Sequence, residues 1–150
     1  MDRNNTMEMK KTLIKVGTIL SLFFYSCGSS PAPTQNEIFG KWGSSDGATI
    51  NFNKDGSFSG VSIPAQFGFF PPDSFRTKKF SGRGNWEMKK GETYWEISLN
   101  FKQVSISGKN GCSFPIMIAG RNGVLENKPP WYLFLWKEEE GGERYEYMKK

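Results

Sequence analysis

From Ile38 to Tyr147 the chain is a succession of short stretches in which apolar and polar residues alternate, each ended by Gly, Asn, Asp or Pro, with no helical period between them. A period of two puts alternate side chains on opposite faces of a strand, so such a chain can bury one face of a sheet and little else. Ala48, Ile50 and Phe52 share one face and Thr49, Asn51 and Asn53 the other. Asn53-Lys54-Asp55-Gly56 is a turn, and Ser57–Val61 returns as its partner strand. Phe80, Gly82, Gly84, Trp86 and Met88 form the next inward set. After Lys89-Lys90-Gly91-Glu92 come Trp95, Ile97, Leu99 and Phe101, with Val104 and Ile106 continuing toward Gly108–Gly111. Phe114, Ile116 and Ile118 follow, then an Arg121-Asn122-Gly123 turn. Trp131–Trp136 is apolar on both faces, so its outer face expects a cover. Gly141-Gly142 turns the chain into Arg144–Tyr147. About eight hairpin-linked strands without crossover helices predict an all-β fold, an antiparallel up-and-down barrel or a closely related sandwich. A barrel of that size holds its own side chains or one small ligand.

Ahead of this region the sequence reads as a targeting segment. Lys10, Lys11 and Lys15 precede an apolar run, Val16–Tyr25, and then Ser26-Cys27-Gly28-Ser29-Ser30. The run is about ten residues, which suits a signal peptide and falls short of the roughly 20 that span a bilayer. A small residue directly before a cysteine, with small polar residues after it, resembles the lipobox of bacterial lipoproteins. The resemblance implies that residues 1–26 are a signal peptide and that Cys27 becomes the diacylated first residue. Two or more acyl chains are what stable anchoring requires. Residues 27–36 lack large apolar side chains and read as a tether, with the domain at 37–150. The expected location is the bacterial cell envelope: the periplasmic face of the outer membrane in a diderm host, outside the cytoplasmic membrane in a monoderm one. With Cys27 lipidated, Cys112 has no partner, so no intramolecular disulfide is expected.

The net charge of +5 includes +2 from the leader, leaving +3 for residues 27–150. Their basic residues are scattered among acids, which argues against nucleic acid as a partner. The chain has no histidine, which removes the commonest general base and metal ligand, and one remaining cysteine cannot build a zinc tetrahedron. No nucleophile elbow, phosphate loop or dinucleotide fingerprint is present. The carboxylates Asp46 and Asp55 fall in turns, and Glu138-Glu139-Glu140 in a charged turn; Asp73, Glu87 and Glu96 complete the set considered. These are read as solvated charge, so a non-enzymatic monomer without cofactor or metal is expected.

Aromatic residues make up 15% of the chain. Phe69, Phe70, Trp86, Trp95, Phe101 and Phe114 are the candidate lining for a small apolar ligand. The alternative is a filled barrel that meets an envelope protein, as an inhibitor or immunity-type partner would. Ile63–Phe75 carries four Phe and three Pro and is too long for a tight hairpin; it is either a lid or a plug.

Ile38-Phe39-Gly40-Lys41-Trp42, with Ile50-Asn51-Phe52 and Asp55-Gly56-Ser57-Phe58, resembles small lipocalin-like (calycin-type) barrels. Gly82-Arg83-Gly84-Asn85-Trp86-Glu87 and the ending Pro130–Leu133 with Glu143–Tyr147 resemble uncharacterised lipocalin-like bacterial lipoproteins. The resemblance implies that Trp42 plugs one barrel end and that a basic residue of the last strand, Arg144, packs across it. The first hairpin is also similar to the biotin-binding avidins. The serine and tyrosine that bond the biotin ureido oxygen there correspond to Ala48 and Ser62, so biotin is not expected.

Overall fold

A computed structural model describes residues 32–69, 75, 77–122, 126–137 and 142–150. The leader, Cys27 and Phe70 lie outside the described residues. Eight antiparallel strands close into a barrel in sequence order: β1 Gly40–Gly43, β2 Thr49–Phe52, β3 Ser57–Pro64, β4 Lys79–Lys90, β5 Trp95–Val104, β6 Cys112–Asn122, β7 Lys128–Trp136 and β8 Arg144–Lys149. The barrel closes where β1 meets β8, through the pairs Trp42–Lys149 and Gly43–Met148. This is an up-and-down topology compatible with a lipocalin-like fold. No described helix is long and apolar enough to cross a membrane.

Period-2 alternation places Ile50, Phe52, Phe58, Phe80, Trp86, Ile97, Leu99, Phe101, Phe114, Ile116, Ile118, Leu133 and Leu135 in one continuous core. Register is interrupted between Gly60 and Ile63, between Arg83 and Gly84, and between Gly120 and Asn122. Such bulges add the local twist that closing a sheet demands. At the second, a side chain on residue 84 would strike the Asn100 carbonyl, so only Gly lets β4 approach β5 there.

The barrel's ordered entry begins inside the stretch read as tether. Pro33 is buried and Gln35–Ile38 forms one helical turn, α1. The reason is a capping signature, Thr34-x-x-Glu37: the Glu37 carboxylate accepts from the Thr34 backbone N–H (2.7 Å) and hydroxyl (2.8 Å). The Trp42 indole N–H donates to the Ile38 carbonyl at 2.7 Å, and both side chains are buried. Trp42 therefore plugs this end, as the resemblance implied. The cation over it differs: Lys149, not Arg144, lies 5.6 Å from the Trp42 ring. Arg144 shares the outer face with Glu146 and Met148, whereas Tyr145 and Tyr147 point inward.

The far end is closed by the start of the Phe-rich segment. Ala65–Phe67 forms a single 3-10 turn. Phe69 packs on Phe80 (5.2 Å) and Phe75 (5.4 Å), and Phe67 packs on Tyr145 (5.5 Å). The described part of the segment is thus a plug: its rings turn inward and complete the core.

Candidate functional site

Phe101 of β5 lies at the centre of the barrel, 1% exposed. Its ring meets Phe58 edge-on at 4.6 Å, Phe80 at 5.0 Å and Phe114 at 5.7 Å. Of the aromatics singled out as ligand lining, Phe69, Phe101 and Phe114 are brought into one chain of rings through Phe80. Trp86 belongs to the other end, against Phe39 (5.8 Å) and Phe52 (5.2 Å), with its indole N–H on the Asn53 carbonyl at 3.2 Å. Trp95 is half-buried against the same core, and Phe70 is not among the described residues.

The space beside these rings is taken. A methyl group added at Gly60 would sit 3.2 Å from the Phe101 ring, and one at Gly82 2.8 Å from it. One at Gly68 would meet the Cys112 sulfur at 2.8 Å and the Phe114 ring at 3.1 Å. Contacts this close leave little room for a further carbon atom at two points on the central ring and at one beside Phe114. Trp86 and Phe114 do reach the surface with their edges, where they border a cleft of about 520 Å³.

A polar cluster ties the plugged end together. Asp46, in the β1–β2 turn, accepts from the Ser44 hydroxyl (2.5 Å), from Tyr145 OH, and from the Lys79 ammonium (2.9 Å). Burial alone would raise the Asp46 pKa, but the Ser44, Tyr145 and Lys79 hydrogen bonds outweigh it and hold the carboxyl well below the usual range. Burial, with Asp46 beside it, raises the Tyr145 phenol. Tyr147 OH is buried with no hydrogen-bond partner among the described residues, and burial raises its pKa as well. The donors that converge on this carboxylate make it a latch between the β1–β2 turn, β4 and β8. Asp55 caps its own turn through the Ser57 N–H at 2.9 Å. Among the described residues no three His, Cys, Asp or Glu side chains converge to hold a metal. Cys112 is a free, half-buried thiol whose pKa burial pushes up to about 11.

The outer wall carries an arrangement that the sequence did not bring together, Arg144 having been expected over Trp42 instead. Phe134 of β7 points away from the barrel yet is fully buried. Tyr94 and Trp136 stand edge-on to it, each at 5.1 Å. The Arg144 guanidinium covers it at 4.5 Å and lies 5.0 Å from the Trp136 ring. Arg144 is fixed by the Glu126 carboxylate (2.6 Å), the Tyr132 hydroxyl (2.5 Å) and the Tyr94 hydroxyl (3.3 Å). The one sequence signal for this was β7 being apolar on both faces; the cover it expects is supplied by these rings and Arg144. Beside them, Trp136 (39% exposed), Tyr94, Met117 and the β4–β5 hairpin border a cleft of about 1040 Å³. Comparison with known protein families, curated proteins and solved structures finds no match to the chain.

Proposed function

We propose that the chain is a lipid-anchored, non-catalytic binding module of the bacterial cell envelope that meets its partner on the outer wall of its barrel rather than enclosing a cargo. The observation that carries the exterior reading is the crowding at Phe101, whose ring lies 2.8 Å from where a methyl group at Gly82 would stand and 3.2 Å from one at Gly60. A small apolar ligand needs an enclosed volume of several hundred Å³, and the rings of Phe58, Phe80 and Phe114 packed on Phe101 at 4.6, 5.0 and 5.7 Å stand against one. This packing supports an interaction lipoprotein over a carrier. The absence of histidine and the saturated Asp46 support a role without catalysis. The anchor rests on Ser26-Cys27-Gly28 after the short apolar run, and places the module at the periplasmic face of the outer membrane in a diderm host.

Two measurements test this. In a bacterial host fed labelled palmitate, the wild-type chain takes up label and Cys27→Ser does not; an unlabelled wild type would remove the anchor. Native mass spectrometry of the processed chain, from Cys27 onward and released gently from membranes, should give the lipidated mass alone. A further discrete mass that leaves on denaturation would identify an enclosed cargo and overturn the exterior reading.

A further inference from the structure

We infer that the cleft between the β4–β5 hairpin and the β6–β7 wall is a binding site for a neutral oligosaccharide, with Trp136 as its stacking platform. This deepens the exterior-wall reading and rests on it. The cleft, about 1040 Å³, matches the upper end of ordinary ligand sites, which suits a chain of several sugar rings rather than a single small molecule.

Trp136 is one of only two large hydrophobic side chains that the described residues leave exposed; the other, Val61, is on β3 and does not border the cleft. The indole is not loose. Phe134 stands edge-on to it and the Arg144 guanidinium lies over one face, itself held by Glu126 and Tyr132, while the residue keeps 39% of its surface exposed. A rigid aromatic face loses little entropy on contact with a ligand. Tyr94, braced on the same Phe134, borders the cleft as a second ring.

The charges around these rings select the chemistry. Lys89 and Lys90 face Glu92 and Glu96 around the same cleft, so neither sign prevails and a strongly ionic ligand gains no net attraction. A purely apolar ligand would bury these charges without replacing their hydrogen bonds. Lys89 and Glu96 are 3.8 Å apart, a loose pair that can open to receive a hydroxyl between them. The Glu96 carboxylate lies close over Gly91, in the β4–β5 turn. What satisfies both halves of the cleft is a molecule with an apolar C–H face and a rim of neutral hydroxyls. A pyranose ring has that form: its C–H face stacks on the indole, and its hydroxyls donate to Glu96 and accept from Lys89 as charge-assisted bonds.

The test uses the full-length chain in detergent micelles against immobilised neutral oligosaccharides built from glucose, mannose, galactose and N-acetylglucosamine. Tryptophan fluorescence serves as the solution readout. The expected result is retention of at least one class, weakened about tenfold or more by Trp136→Ala and several-fold by Glu96→Gln, a surface change that leaves the core intact. No retention of any neutral oligosaccharide by the wild-type chain, or retention unchanged in both variants, overturns the assignment. A photo-crosslinker at position 136 that captures a protein in the native envelope, with no sugar retained, overturns the sugar assignment and leaves the exterior-wall reading standing. A cargo inside the barrel would overturn that reading itself.

Discussion

Phe101 shows what a single position decides in this barrel. Leu99 and Phe101 are spaced alike along β5, yet only Phe101 lies where rings from β3, β4 and β6 converge. Glycines at 60 and 82 stand opposite it because no side chain would fit, so its bulk and their lack of it are one packing solution. Phe101→Ala would remove the ring and leave a cavity that β-strands fixed on both sides cannot collapse, at a cost of about 3–5 kcal/mol. Urea unfolding should show the fall in midpoint with an unchanged slope. Were Phe101 the wall of an existing ligand cavity, the loss would be small. Arg144 makes the converse point. The sequence gives its charge and its place in the last strand, but the outward parity of position 144 sends it to Phe134, while Lys149 reaches Trp42.

Between elements, the Asp46 latch joins the β1–β2 turn to β4 through Lys79 and to β8 through Tyr145. The carboxyl has a lower pKa folded than unfolded, so its contribution is complete above the ordinary carboxylate pKa of about 4. As pH falls below that value the unfolded chain takes up the proton first, and the contribution drains away toward the depressed folded value. Stability should therefore decline below about pH 4, and Asp46→Asn should be less stable at neutral pH with a shallower decline in acid. Thermal melts across the acid range check this; parallel curves for the two proteins would remove the latch. The latch was hidden in sequence because Asp46 and Tyr145 are a barrel's length apart in the chain. The entry helix carried a local signal that the tether reading passed over: Thr34-x-x-Glu37 is a capping box, and Trp42 four residues after Ile38 supplies the bond that docks it.

At the scale of the molecule, closure is achieved at a short seam. β4 pairs with β5 from Gly82–Lys90 to Trp95–Val104, whereas β1 and β8 meet through Trp42–Lys149 and Gly43–Met148, extended by the Lys150 N–H on the Lys41 carbonyl (2.9 Å). Short pairing near the chain end is where a barrel opens first. Hydrogen exchange should find the amides of β1 and β8 less protected than those of β4 and β5, by the free energy separating local from global opening. Uniform protection around the barrel would mean that it opens only as a whole.

The all-β class, the strand succession and the core-facing residues are properties of local pattern. Side-chain period and turn chemistry act within a few residues, so sequence alone determines them. Whether inward-facing rings line a space or fill it depends on distances between strands far apart in the chain. Trp86, Trp95, Phe101 and Phe114 could be placed on the inner face by parity, but not against one another. The same holds for the outer wall: Tyr94, Phe134, Trp136 and Arg144 come from three separate stretches, and only closing the sheet brings them together. The two-sided apolar character of Trp131–Trp136 announced that something must cover β7. What covers it, and the cleft that the cover leaves beside Trp136, were decided by the tertiary structure, because a pleated strand specifies the direction of a side chain and not its neighbour.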